Sequence, residues 1–223
     1  MTEEEYPAPP PRATPRPIAA LYVLEDGPYS DLPGVDPWPE SRDARTYPGP
    51  FPAVCHPPCT RWGRFWNGGP SYKGPKLVKG ADGGCFAAAL ATVRRWGGVI
   101  EHPEASHAWA HYWLEKPPFH GGWIRADTCG GWTCCVAQGH YGHDAQKMTW
   151  IYAVGTDRPP LRWGRARGLA RLDEGFHSAE ERKAARAAGQ KPRRRLSRRA
   201  NLSTPAPFRD LLISLARSVE PRS

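Results

Sequence analysis

The sequence predicts an α/β protein whose open, mostly parallel sheet is flanked by helices. Apolar segments of strand length alternate with helical patterns along the chain, which is typical of βαβ units. Residues 150–155 (WIYAVG) are apolar without interruption, as expected for a strand that is covered on both faces. A last apolar stripe, over residues 208–219, has helical spacing and must bury its apolar face against the sheet.

Composition divides the 223-residue chain into four parts. Residues 1–17 form a polar, proline-rich leader that we expect to be disordered. Residues 18–157 carry the strand and helix patterns of an α/β catalytic-type domain. Residues 158–203 are poor in apolar residues and rich in arginine, and they form a basic insertion or tail. Residues 204–223 form a C-terminal helix that docks on the core.

Strands are predicted where short apolar runs are bounded by glycine, proline or aspartate. They lie at residues 18–25, 51–56, 98–103, 122–127, 131–138 and 148–155. Residues 30–50, rich in proline, glycine and aspartate, are a predicted loop. Residues 60–81 are a second loop, which is glycine-rich, basic and aromatic.

Four helices are predicted from their periodicity and their ends. Asp82 can cap a helix over residues 85–96, and two glycines stop it. Residues 106–114 and 178–189 also have helical character, the second as a solvent-exposed helix. The last helix opens at Thr204 and Pro205, and its apolar residues share one face.

Positive charge is concentrated in the last third of the chain. Residues 158–223 hold 17 Lys and Arg against 6 Asp and Glu, whereas residues 1–157 hold 14 against 16. Such a basic segment on an otherwise slightly acidic chain favours a polyanionic partner, and nucleic acid is the natural one. No stretch is apolar enough for a bilayer, and the acidic N-terminus lacks a signal sequence, so we expect an intracellular, cytoplasmic protein with its six cysteines reduced.

Two segments with chemical potential follow neighbouring predicted strands. His56-Pro57-Pro58-Cys59 ends one strand in a rigid turn that carries a thiol, and Glu101 lies at the end of the next strand. Because ligands of open α/β sheets bind at the carboxyl ends of strands, we expect these segments to lie side by side. A thiol beside a carboxylic acid suits addition to an electron-poor ring, in which the thiolate attacks carbon and the acid protonates a ring nitrogen.

The order of these motifs resembles the DNA cytosine-C5 methyltransferases. AVCHPPC (53–59), GGVIEHP (97–103), AQGHYGHDAQKMTWIYAVG (137–155) and the closing helix follow one another as that family's landmarks do. The resemblance implies a Rossmann-like methyltransferase fold, an enzyme of phage type, and double-stranded DNA as the partner. The target base would leave the duplex, since a stacked ring cannot be reached.

The resemblance also implies roles for individual residues. Cys59 would be the nucleophile on C6 of cytosine, Glu101 would hold and protonate the base, and Lys147 would contact it. The residues that would bind the substrate are His56, Pro57, Pro58, Arg61, Trp62, Arg64 and Gln146. The cofactor would be S-adenosylmethionine, with Gly27, Asp36 and Asp43 as candidate ligands, although the family's glycine-rich motif is missing after the first strand.

Other interpretations of the same residues stay open. HPPC also resembles the base-amine clamp of amino-methyltransferases, in which His56 would position an exocyclic amine and Cys59 would not react. Cys59 could be a packed thiol, Glu101 a structural ion pair, and the two aspartates mere turn residues. A non-catalytic nucleic-acid-binding protein is the third possibility, and it could contain zinc. No metal site is assigned, because the adjacent cysteines at 134 and 135 suit one zinc ion poorly.

Overall fold

Seven strands form one mixed sheet in the computed structural model, which describes residues 15–68, 72–170, 172, 179–189 and 194–220. The strands are β1 (Ile18–Val23), β2 (Val35–Pro39), β3 (Ala53–Cys55), β4 (Gly98–Pro103), β5 (Ile124–Arg125), β6 (Gly131–Ala137) and β7 (Met148–Val154). The helices are α1 (Cys85–Trp96), α2 (His107–His111), α3 (Ala179–Ala187), α4 (Arg198–Leu202) and α5 (Ala206–Arg217). The predicted leader falls largely outside the described residues, as does part of the basic region.

The sheet has a parallel half and an antiparallel half. Its strand order is β2-β1-β3-β4-β7-β6-β5. The pairs β1–β2, β1–β3 and β3–β4 are parallel, whereas β4–β7, β6–β7 and β5–β6 are antiparallel. The α/β class is confirmed, but the prediction of a mostly parallel sheet was wrong. The reason is local: only a short loop and 3-10 turn separate β6 from β7, and so short a connection permits an antiparallel pair alone.

Helices cover both faces of the sheet, which makes a three-layer structure. Phe86 and Val93 of α1 and Trp109 of α2 pack with one set of strand side chains. Phe208 and Leu212 of α5 pack with the other set. The C-terminal helix therefore docks on the core as its apolar spacing predicts, and the strands are buried on both faces because each alternate side chain meets a helix.

The helix α1 and the strand β4 have the predicted boundaries, because their end signals are strong. Asp82 accepts hydrogen bonds from the main-chain nitrogens of Gly84 (3.0 Å) and Phe86 (2.9 Å), which satisfies donors at the start of α1. Gly97 ends α1 with a φ of 83°, a left-handed value that suits glycine. Gly98 has a φ of 116° and lies against the main chain of β3, so that α1 and β4 join without a loop.

The edge strand β2 falls in the segment predicted as a loop. Its sequence is VDPWP, and prolines are poor strand residues because they lack the donor N–H. An edge strand tolerates them, since one side of its backbone has no strand partner. Of the described residues, no helix is long and apolar enough to cross a membrane.

Candidate functional site

Four strands bring polar side chains to one edge of the sheet, the one at which the parallel strands end. The strands β1, β3, β4 and β6 end at this edge, and β7, which runs the other way, begins there. His56 follows β3, Glu101 lies near the end of β4, Gln138 follows β6, and Lys147 precedes β7. The prediction that the His56–Cys59 turn and Glu101 lie side by side is therefore confirmed.

Glu101 is the centre of a hydrogen-bonded chain at this edge. Its Oε2 lies 3.2 Å from Nδ1 of His56, and its Oε1 accepts a hydrogen bond of 3.0 Å from Nε2 of Gln138. The other ring nitrogen of His56 lies 2.8 Å from the hydroxyl of Tyr29. Nε2 of Gln138 also donates to Thr149 Oγ1 (2.9 Å), which fixes the orientation of the amide.

These contacts keep Glu101 ionised. Its side chain is only 13% exposed. Burial alone would raise the pKa of Glu101, but the hydrogen bond and charge of His56 outweigh that effect, with help from Lys147, and hold the pKa well below its usual range. Because an ionised carboxylate only accepts hydrogen bonds, the proton of the shared contact lies on Nδ1 of His56.

Cys59 lies in the turn beside this chain. Burial and the negative charge of Glu101 raise the pKa of the Cys59 thiol, whereas the positive charge of Lys147 lowers it. The main-chain oxygen of Cys59 accepts hydrogen bonds from the nitrogens of Trp62 (3.0 Å) and Gly63 (2.8 Å), which closes the turn. At rest the thiol of Cys59 is therefore neutral, and the charge of Glu101 is close enough to raise its pKa.

Lys147 reaches the same cluster from β7. Burial lowers the pKa of its amine, and the charges of Glu101 and Cys59 oppose that shift. Its Nζ donates a hydrogen bond of 3.0 Å to the main-chain oxygen of Ser203, between α4 and α5. Lys147 has a φ of 38°, which a non-glycine residue adopts at a cost in backbone strain.

His102 supports the Cys59 turn from the opposite face of the sheet. It is fully buried and stacks near Trp109, and its Nδ1 lies 2.7 Å from Ser106 Oγ. Burial lowers the pKa of His102 to about 4, and the charge of Glu101, followed by the main-chain oxygens of Pro58 and Pro57, opposes this shift. Pro57 is buried and Pro58 is exposed, so the turn packs against the core through Pro57.

Trp62 is buried and cannot contact a base, which corrects the prediction that it binds the substrate. It is 1% exposed, it contacts Phe86 and Tyr112, and its Nε1 donates to Asp82 Oδ2 (2.8 Å). A tryptophan in a glycine-rich loop turns inward when an apolar pocket and an acceptor for its N–H are both within reach. Here Asp82, which also caps α1, supplies that acceptor.

The remaining substrate-binding candidates lie around the cluster rather than in it. Arg61 contacts the main-chain oxygen of Trp66 at 3.5 Å, and exposed Arg64 pairs with Glu104 at 3.3 Å. Gln146 precedes Lys147, and its main-chain oxygen accepts a hydrogen bond of 3.2 Å from the nitrogen of Gly139.

Two members of the hydrogen-bonded chain were missed from the sequence. Gln138 and Tyr29 are both buried, and each contacts the His56–Glu101 pair. Gln138 directly follows an apolar strand, a position that can be recognised from sequence. Tyr29 lies in a loop of turn residues and gives no such signal.

The three cofactor candidates do not form a cradle for S-adenosylmethionine. Asp36 lies opposite Ala19, in the amino half of β2, and its two oxygens accept from Trp38 (2.7 Å) and Arg42 (2.6 Å). Asp43 uses both carboxylate oxygens on Arg45, two residues along the chain. The nitrogen of Gly27 donates to the main chain of Leu24 at 3.2 Å. The polar atoms of each residue are therefore already hydrogen-bonded to a close neighbour in sequence.

Two cavities lie at the opposite edge of the sheet. One, of about 380 Å³, is lined by Pro17, Pro52, Trp96 and Val219 among others, and it adjoins the amino ends of β1 and β3. The other, of about 450 Å³, lies between the amino end of β2 and α5. Neither cavity includes a residue of the Glu101 cluster.

A zinc site built from Cys134, Cys135 and the nearby histidines has no geometric support. The two cysteines are consecutive in β6, so their side chains lie on opposite faces of the sheet, each in a different part of the core. In the described part of the chain, no three His, Cys, Asp or Glu side chains are grouped so as to hold a metal ion.

Comparisons of the chain with protein-family models, with curated proteins and with solved structures find no match. The geometry of the carboxyl-end edge therefore carries the functional argument.

Proposed function

We propose that this chain is a DNA-modifying methyltransferase that acts on C5 of cytosine through the Cys59 thiol. One observation carries the proposal: Cys59, Glu101 and Lys147 converge at the carboxyl ends of the strands, where the charges of Glu101 and Lys147 influence the pKa of the Cys59 thiol and of each other. The Rossmann-like methyltransferase type of fold is part of the proposal. The run of four neighbouring parallel strands, β2-β1-β3-β4, supports it.

The charge states of the resting pair suit addition to a pyrimidine. A thiol and a carboxylate hold the same number of protons as a thiolate and a carboxylic acid, which are the forms that addition requires. A base with an unprotonated N3 facing Glu101 favours the acid form, because two acceptors in contact repel each other. The proton lost by Cys59 thus balances the one gained by Glu101.

In the addition step, the Cys59 sulfur bonds to C6 of cytosine and the C5–C6 double bond opens. Its electron pair moves through the ring towards N3, which takes the proton from Glu101. The enamine that results is nucleophilic at C5. When C5 takes a proton from water and later loses the original hydrogen, elimination of the sulfur restores the ring and returns the proton to Glu101. The net result is hydrogen exchange at C5.

The proposal names S-adenosylmethionine as the source of the methyl group, as the resemblance implies. Gly27, Asp36 and Asp43 do not fit that cofactor, so its binding is a separate measurement. Calorimetric titration of the purified chain with S-adenosylmethionine measures it directly, whatever the result of the exchange reaction.

The test uses double-stranded DNA with tritium at C5 of cytosine and measures tritium released to water, alongside methyl transfer from labelled cofactor. Wild-type protein is expected to release tritium, and Cys59→Ser to release none above background. Cys129→Ser is the matched control, since Cys129 is an exposed thiol outside the cluster. Equal release by wild type and Cys59→Ser, or none by wild type, would reject the mechanism.

The amino-methyltransferase alternative has less support from the geometry. Both ring nitrogens of His56 are already engaged, with Tyr29 and with Glu101, so neither is free to receive a base amine. The non-catalytic alternative has one observation in its favour: the cofactor candidates are engaged elsewhere. DNA binding without exchange or transfer would establish it.

A further inference from the structure

Trp113 is held on the surface by the helix end that it forms. Leu114 N donates to Trp109 O (2.8 Å), which is the six-to-one hydrogen bond of a Schellman motif closing α2, and Tyr112 N makes the last helical hydrogen bond, to Ala108 O (2.9 Å). The motif requires a left-handed residue at the position after the cap, and Trp113 occupies it with a φ of 56°. Glycine or asparagine is usual there, because a bulky side chain strains the backbone.

Packing against the described part of the chain does little to offset that strain, because the indole is almost fully exposed. Trp113 is 89% exposed, the highest fraction among the large hydrophobic residues of the described part of the chain. The next residue, Leu114, is 5% exposed and supplies the apolar contact that anchors the motif. A large apolar ring that is strained, rigidly placed and exposed indicates a contact with another molecule.

The surroundings of Trp113 combine aromatic rings with positive charge. The loop at 60–66 is tied to α2, because His107 N donates to Trp62 O (2.7 Å) and the rings of Trp62 and His111 lie 5.0 Å apart. That loop presents Phe65, which is 55% exposed, and Trp66, whose ring lies 5.1 Å from Nζ of Lys79.

Two lysines lie close to α2. Lys116 is exposed and follows Trp113 by three residues. Nζ of Lys79 lies 5.1 Å from the ring of Trp66, in the loop that is tied to α2. Burial, and then the charges of both lysines, lower the pKa of His107 at the start of α2. Aromatic rings interleaved with cations are the combination that binds single-stranded nucleic acid, in which bases stack and phosphates pair with cations.

We propose that Trp113 stacks on an unpaired nucleobase while Lys79 and Lys116 bind the flanking phosphates. This inference rests on the nucleic-acid partner of the proposed function, but it does not depend on Cys59 chemistry. When one base leaves a duplex, its partner base on the other strand also becomes unpaired, so an unpaired base is present at the site of the proposed reaction as well.

The variant Trp113→Gly separates binding from stability, since the two effects have opposite signs. Glycine relieves the left-handed strain and the exposed indole has no packing to lose, so the melting temperature is expected to stay or rise. Affinity for a fluorescently labelled 20-nucleotide single strand, measured by anisotropy, is expected to fall about ten-fold or more. Trp113→Tyr keeps an aromatic ring and is expected to retain most of the binding.

Leu24→Ala is the matched control, because Leu24 is 73% exposed and follows β1, outside α2, the 60–66 loop and the basic segment. Unchanged affinity of Trp113→Gly, or a lowered melting temperature, would overturn the inference about Trp113. Self-association of the wild type that is lost in Trp113→Gly, seen by light scattering, would also overturn it in favour of a protein partner. Binding by wild type without hydrogen exchange would overturn the proposed catalysis and leave this inference standing.

Discussion

Replacing Glu101 by glutamine tests whether the hydrogen-bonded chain holds a charge. The substitution keeps the shape but removes the charge that accepts from His56 and Gln138, at 3.2 and 3.0 Å. The amide nitrogen of glutamine replaces one carboxylate oxygen, so one of the two contacts brings two hydrogen-bond donors together. A pKa lowered from 4.5 to about 2 corresponds to roughly 3 kcal/mol of stability from the ionised form, and loss of charged hydrogen bonds has a similar cost. We expect Glu101→Gln to unfold more easily by about 3 kcal/mol at pH 7.

The expected effect of pH on this variant follows from the direction of the pKa shift. Because the folded pKa of Glu101 lies below the unfolded value, its contribution is present above about pH 4.5 and is lost as the pH falls towards 2. The stability gap between wild type and Glu101→Gln should therefore narrow as the pH falls below about 5. Urea unfolding followed by tryptophan fluorescence at several pH values measures the gap.

The matched control for this experiment is Glu104→Gln, the same chemical change three residues along the chain. Glu104 pairs with exposed Arg64 at 3.3 Å near the surface, and such pairs contribute less than about 1 kcal/mol. A Glu101→Gln protein as stable as the control, or a gap that stays constant down to pH 4, would refute the assignment of a buried carboxylate.

Two further predictions concern the backbone and the thiol. Gly98→Ala should lower the free energy of unfolding by about 3 kcal/mol, because the new methyl group meets the main chain of β3. Gly130→Ala is the control: it has open space around it and should lower the free energy of unfolding by only about 1 kcal/mol. Chemical denaturation measures both changes. Iodoacetamide should alkylate Cys59 more slowly than exposed Cys129 at pH 7, and the rate at Cys59 should rise in Glu101→Gln since a nearby negative charge is gone. Mass spectrometry of the peptides measures both rates, and an unchanged rate at Cys59 would contradict the electrostatic coupling.

The sequence predicts best those features whose signals are local. The strand β4 and helix α1 have strong apolar patterns and are separated by glycines at left-handed φ values, so their limits can be predicted from the sequence. The strand β2 could not be predicted, since Pro37 and Pro39 argue against a strand until its edge position is known. The direction of β7, in contrast, could have been predicted, because the connection from β6 is too short for a parallel crossover.

The site shows the same division. His56, Cys59 and Glu101 could be paired from sequence, because parallel strands end at one edge of a sheet. Tyr29 could not be found, since its part depends on a loop that folds back onto His56. Trp62 was wrongly predicted to bind the substrate, because the sequence does not indicate which aromatic residues of a loop turn towards the core.

The late position of β7 in the chain has a consequence for synthesis. On one side of β4 the only strand partner is β7, which begins at Met148, 45 residues after β4 ends at Pro103. During synthesis, the apolar strand β4 therefore has an unpaired side until β7 has left the ribosome, and unpaired strand edges favour aggregation with other chains. Truncated chains that end before Met148 lack β7 and, with it, Thr149, which accepts a hydrogen bond from Gln138. We expect them to aggregate rather than persist as partly folded domains.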